Sequence, residues 1–205
     1  MNEFVIIFFA ITLIYFSITE RFRIYVNLIA IQGVLLFALS FLELEKITLG
    51  TLLFVATETL VFKVIVVPTM LFRIIRKTGE EKVHEKSMPG FYSLLFVSAG
   101  LILSILVSFS LKTTPGNLIF FVVSIFAIFT GLFLIISHKK VFSHLVGFLI
   151  VENAVLLLSM AIGSQIPMLI IIGILLDIFV SVLILGIFVM RVKQHTSELT
   201  MLKDD

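Results

Sequence analysis

Four ionisable residues sit deep inside long apolar runs: Glu58 and Lys63 in one run, Glu152 in a second and Asp177 in a third. A charge at the centre of a membrane-crossing helix costs about 2.5–3.5 kcal/mol, so four ionised, unpaired groups would cost on the order of 10 kcal/mol. A chain of 205 residues does not carry that cost for packing alone. Such groups must be neutral, paired, or turned toward a hydrated protein interior. A carboxyl in that setting can take and release a proton without leaving its helix, which is the chemistry of a proton or ion path.

Depth supports two of them together. Glu152 lies 11 residues beyond Val141, about 16 Å into a helix at about 1.5 Å per residue. Asp177 lies 10 residues beyond Pro167, about 15 Å from the opposite end of the next helix. Carboxyl groups at similar depth on consecutive antiparallel helices can communicate directly or through water. The competing reading is a protonated, hydrogen-bonded carboxyl that joins two helices. Glu58 and Lys63 differ by five positions, about 140° around an α-helix, which makes them poor partners for each other. Each is expected to meet another helix or subunit, Lys63 as a proton relay or as one half of an interhelical salt bridge. Pro68 removes a donor from the Val64 carbonyl and can bend this helix. His144 precedes Glu152 by eight residues, about 80° away, and is either a proton guide at the cytoplasmic end or a satisfied interfacial histidine. His138, beside Lys139 and Lys140, reads as interfacial. Gly131, Gly147 and Gly173 permit close helix contacts.

The elements that carry these residues are apolar runs at about 4–19, 24–42, 47–72, 91–111, 118–136, 141–161 and 167–190. Most reach the roughly 20 residues that cross a bilayer. Turn residues separate several of them: Met88-Pro89-Gly90, Thr114-Pro115-Gly116-Asn117 and Gly163 through Pro167. The fold expected is all-α, a membrane protein of seven transmembrane helices. Of the 15 Lys and Arg residues, loops on one side hold 12 (Arg21, Arg23, Arg73, Arg76, Lys77, Lys82, Lys86, Lys139, Lys140, Arg191, Lys193 and Lys203). The other side has Lys46 and Lys112. Basic residues favour the cytoplasm, so the amino terminus is expected outside and the carboxyl terminus in the cytoplasm. The first run follows Asn2 and Glu3 without a basic start, and reads as an uncleaved helix. The segment Arg73–Ser87 mixes Glu80, Glu81 and Glu85 with basic residues. It reads as a solvated cytoplasmic loop, or alternatively as a docking surface.

Composition narrows the chemistry further. The chain is 60% hydrophobic and 14% charged, with mean hydropathy +1.24, more apolar surface than a soluble domain of this size can bury. Without cysteine it has no thiolate-ligated iron–sulfur cluster, disulfide or thiol redox chemistry. Its four His are scattered, with no haem or zinc pattern, so neither a cofactor nor a metal is expected in this chain. A net charge of +2 gives no case for nucleic acid.

The stretch Leu145-Val146-Gly147-Phe148-Leu149-Ile150-Val151-Glu152-Asn153-Ala154, preceded by Lys139-Lys140, resembles the second helix of the NuoK-type subunit of respiratory complex I. Leu175-Leu176-Asp177-Ile178-Phe179-Val180-Ser181 resembles the helix after it. The whole length, with extra helices in front, is similar to the membrane E-type subunit of hydrogenase-4 and formate hydrogenlyase complexes (HyfE-like). Arg191-Val192-Lys193 and Ser197-Glu198-Leu199-Thr200 also fit that family. The resemblance implies a four-helix region over 1–112 with a cytoplasmic loop at 73–90, a NuoK-like three-helix region over 113–193, and a tail over 194–205. It implies a subunit of a proton-translocating assembly in a prokaryotic cytoplasmic (inner) membrane. Its companions would be antiporter-like and NuoH-like membrane subunits, and hydrophilic nickel-iron hydrogenase-like and iron-sulfur subunits. Redox catalysis would lie in those partners. In the NuoK family each of the last two helices carries a buried glutamate. Matching Gly147 and Asn153 puts the first at Leu149, whereas the carboxylate here is three residues on, at Glu152, on roughly the same face. The second falls on Asp177.

Three functions are therefore open: a proton- or ion-moving module with Glu152, Asp177, Lys63, Glu58 and His144 in its path; a structural membrane anchor in the same assembly; and a free-standing small-solute or ion transporter. The last is less attractive, because the spans show no inverted repeat.

Overall fold

The computed structural model describes residues 2–19, 21–43, 57–78, 90–110, 117–139 and 141–162, together with Gly173 and Asp177. The described chain is all-helical. Helix α1 spans Asn2–Ile18 and α2 spans Phe22–Glu43. A π-helical segment, π1 (Thr57–Val66), runs directly into α3 (Val67–Thr78). Then come α4 (Gly90–Ser110), α5 (Leu118–Ser137) and α6 (Val141–Ile162). Gly173 and Asp177 are also helical. The rest of the expected seventh span, the run 47–56 and the tail lie outside the described residues.

Among the described residues, four helices are long and apolar enough to cross a membrane: Phe22–Leu42, Gly90–Ser110, Leu118–Ser137 and Phe142–Ile162. That is compatible with a membrane protein. Their outer surfaces suit hydrocarbon. On α1 the exposed side chains Phe4, Ile7, Phe8, Ile11, Tyr15 and Ile18 follow the three-and-four spacing of one helix face. The opposite face buries Ile6, Phe9, Leu13 and Phe16. Hydroxyl groups in these apolar helices are satisfied by their own backbone: Ser104 donates to the Gly100 carbonyl, Ser108 to Ser104 and Thr130 to Phe126. Such back-bonding costs a helix little and removes an orphan polar group.

The third element departs from the sequence expectation in two ways. Helix continues through Thr78, so Arg73, Arg76 and Lys77 extend a helix rather than begin the loop expected at 73–90. The physical reason is amphipathicity: Val67, Leu71 and Ile75 are buried at four-residue spacing while Arg73 and Arg76 are exposed. An apolar stripe of that spacing keeps a helix docked after the span's all-round hydrophobicity ends. The second departure is π1 itself. Its i→i+5 hydrogen bonding replaces the α geometry from which a 140° separation of positions 58 and 63 follows, and brings those two backbone positions to neighbouring faces.

Helices α5 and α6 form an antiparallel hairpin. Asn117 caps α5, its side chain accepting from the Phe120 amide at 3.5 Å, and its own N–H donates to the Ala161 carbonyl at 3.1 Å. At the other end, the rings of Phe22 and Phe142 meet with centroids 4.5 Å apart. The α1–α2 turn and the α5–α6 turn therefore share one end of the bundle, and exposed Arg21, Arg23 and Lys139 gather there. Between the ends, Gly131 and Gly147 let the two backbones touch. A Cβ on Gly131 would lie 2.7 Å from the Gly147 carbonyl oxygen, and one on Gly147 would lie 2.7 Å from the Gly131 oxygen. Small residues at a crossing allow this approach.

Candidate functional site

Three elements bring one polar cluster together in the middle of the bundle. π1 supplies Lys63, whose ammonium lies 2.6 Å from Glu152 Oε1 on α6. Both groups are inside the protein, with 4% and 1% of their side chains exposed. Lys63 also donates to Asn153 Oδ1 at 3.3 Å. Asp177 stands close enough to Glu152 for the two carboxyl groups to interact directly. The cluster thus holds one ammonium and two carboxyl groups. With all three ionised it would carry a net negative charge; a proton on either carboxyl makes it neutral.

The chain places these groups by local geometry. Gly33 of α2 lies against π1: a Cβ there would meet Val64 Cγ2 at 3.0 Å and Lys63 Cβ at 3.1 Å. Its bare backbone lets α2 press on the turn that bears Lys63. On α6, the residue before Glu152 is held just as closely. A Cβ on Gly131 would lie 2.7 Å from Val151 Cγ2 and 3.1 Å from Val151 N. Short stretches of π-helix are frequent at functional sites, and here one carries the lysine.

A second tier of polar residues extends the cluster across α2 to α1. Asn153 Nδ2 donates to Gln32 Oε1 at 3.1 Å, Gln32 Nε2 donates to Thr12 Oγ1 at 2.9 Å, and Thr12 Oγ1 donates to the Phe9 carbonyl at 2.6 Å. Gln32 is completely buried, and Asn153 and Thr12 nearly so. The sequence reading passed over Gln32 and Thr12. The signal was present: Gln32 interrupts Ile29-Ala30-Ile31 and Val34-Leu35-Leu36, and an amide in the middle of an apolar span needs a partner as a charge does.

Of the sequence candidates, Lys63, Glu152 and Asp177 are brought together. Glu58 belongs to π1, but its side chain lies outside the described residues. His144 stands apart. It is half-buried in the first turns of α6, and its Nε2–H donates to the His138 carbonyl at 2.6 Å. His138 ends α5, so this bond closes the α5–α6 turn, eight residues and about 12 Å along the helix from Glu152. His138 in turn pairs through Nδ1 with Ser137 Oγ at 2.8 Å.

No family model matches the chain, and no solved structure matches it. A protein of Mycobacterium tuberculosis (strain ATCC 25618 / H37Rv), described as uncharacterized protein Rv0085, is 24% identical over 178 residues, covering 84% of this chain and 80% of that protein.

Proposed function

We propose that the chain is a membrane subunit of a complex I-like, group 4 hydrogenase assembly, contributing a buried Lys63–Glu152–Asp177 cluster to proton or ion translocation. The observation that carries this reading is the ion pair of 2.6 Å between Lys63 and Glu152 with a second carboxyl, Asp177, against it. A purely structural ion pair needs one carboxylate for one ammonium. A second carboxyl adds a place for a proton to go, at a depth where any unpaired charge is costly. The resemblance of the Glu152 and Asp177 helices to the NuoK-type subunit, and of the whole length to the HyfE-like subunit, supports a place in such an assembly in a prokaryotic cytoplasmic membrane. The apolar runs and the Lys/Arg distribution support seven spans with the amino terminus outside and the carboxyl terminus in the cytoplasm. Antiporter-like and NuoH-like subunits would flank the chain, and redox catalysis would take place in hydrophilic partners.

A second reading is an anchor without its own ion path, favoured by the close Gly131–Gly147 crossing, which builds a rigid hairpin suited to holding neighbours. Substitution separates the two. The native complex is isolated from membranes, its companions are identified, and proton transport is measured for Glu152→Gln and Asp177→Asn. Translocation through the cluster requires loss of transport in both with assembly intact. Full transport in both, in an intact complex, leaves the anchor.

A further inference from the structure

The hydrogen bonds that join Lys63 to α1 all point the same way, and Lys63 is what orients them. An ammonium has donors and no acceptor, so Asn153 must turn its Oδ1 toward Lys63. Its Nδ2 then faces Gln32, which must present Oε1. Gln32 Nε2 in turn faces Thr12, whose oxygen must accept, leaving the Thr12 hydroxyl proton for the Phe9 carbonyl. No member could be flipped alone without setting donor against donor or oxygen against oxygen.

We propose that Thr12, Gln32, Asn153 and Lys63 form a reversible hydrogen-bond chain whose direction reports the charge on Lys63 to helix α1. The Glu152 carboxylate is within 2.6 Å of the ammonium. If a proton passes between them, an N–H bond breaks, an O–H bond forms, and the nitrogen lone pair becomes an acceptor. The Glu152 O–H turns to the Asp177 carboxylate beside it, and the amine, which has a single lone pair, turns that pair to receive Asn153 Nδ2–H. Asn153 Oδ1 turns to Gln32 Nε2–H, and Gln32 Oε1 turns to the Thr12 hydroxyl. Reversal exchanges four side-chain hydrogen bonds for three, because the Thr12–Phe9 bond is lost. The Phe9 carbonyl keeps its place in the backbone ladder of α1. In both directions Asn153 and Gln32 keep a partner on each end of their amides, and within the chain the bond lost is the one from Thr12 to Phe9. Asn153 and Gln32 act here as positioning residues: in one state they hold the ammonium, in the other the amine.

The titratable groups facing Lys63 among the described residues are Glu152 of α6 and, next to it, Asp177. α2, which packs on π1 at Gly33, presents the neutral Gln32. The inference extends the reading of the cluster as a proton site but needs no net transport, so its test can stand when that reading falls.

The full chain in lipid bilayers is labelled with nitrogen-15 at the lysine, asparagine and glutamine side-chain nitrogens and followed by magic-angle-spinning NMR from about pH 6 to about pH 11. Lys63→Met and Asn153→Leu identify the two signals. Over one pH range, Lys63 should move from its ammonium to its amine position as Asn153 Nδ2 gains a strong proton-mediated cross-peak to Lys63 Nζ. In Lys63→Arg, where position 63 stays a charged donor, the Asn153 and Gln32 amide signals should not change. The wild-type chain carries the main comparison if that variant does not fold. Neutralisation of Lys63 with unchanged amide partners overturns the proposal, as does an ammonium that persists over the whole range. Loss of transport in Glu152→Gln bears on the translocation reading alone.

Discussion

Gly131 on α5 lies against Val151 on α6, and Val151 is the residue before Glu152. A close backbone approach of the hairpin and the buried carboxyl are thus neighbours along the chain. Gly131→Ala would set a methyl 2.7 Å from both the Gly147 oxygen and Val151 Cγ2, which the helices can relieve only by moving apart. Overpacking of this kind costs about 1–3 kcal/mol. The expected outcome is a lower thermal unfolding midpoint in detergent for Gly131→Ala and for Gly147→Ala. Leu132→Ala, at a half-exposed neighbouring position, should change it far less.

Lys63 and Glu152 should be worth more as a pair than singly. Lys63→Met leaves a buried carboxylate without its cation, a change that costs about 3–5 kcal/mol where such pairs have been broken. Adding Glu152→Gln removes the orphaned charge and should restore part of the loss. A double-mutant cycle on unfolding free energy checks this. Additive losses would mean that the two side chains do not stabilise each other.

Gly33 offers a graded test of how tightly π1 is held. A methyl there would lie 3.0 Å from Val64 Cγ2 and 3.1 Å from Lys63 Cβ, so a shift of a few tenths of an ångström relieves it. Gly33→Ala should cost under about 1.5 kcal/mol and Gly33→Leu about 1–3 kcal/mol or more. Equal stability of the two variants would show that α2 does not press on the lysine turn.

Gly100 on α4 faces the ring of Phe129 on α5, which occupies the place of a Cβ. Gly100→Ala should destabilise the α4–α5 contact. Phe129→Leu, added to it, should recover much of that loss by clearing the overlap. Failure of the second substitution to compensate would locate the strain elsewhere.

The place of Glu152 midway along α6 and the apolar stretches that became α1, α2, α4, α5 and α6 were readable by counting residues, because an apolar run and a rise per residue are properties of one segment. The Lys63–Glu152 contact was not. It depends on how two helices rotate against each other, and π1 departs from the α period that the spacing argument assumes. Gly131 and Gly147 stood out as small residues, but only packing shows that they oppose each other. Arg73 and Arg76 read as the start of a loop, since charge usually ends a span; Val67, Leu71 and Ile75 keep that segment helical instead. Gln32 and Thr12 drew no attention because a lone amide or hydroxyl carries no formal charge.

The Thr12–Gln32–Asn153 chain also behaves as an insulator. It is built of a hydroxyl and two amides, groups that neither hold a spare proton nor give one up under physiological conditions. A proton resting on the Lys63–Glu152 pair therefore finds no landing place along that chain toward α1. Among the described residues the bundle therefore has a blind side, and it faces α1.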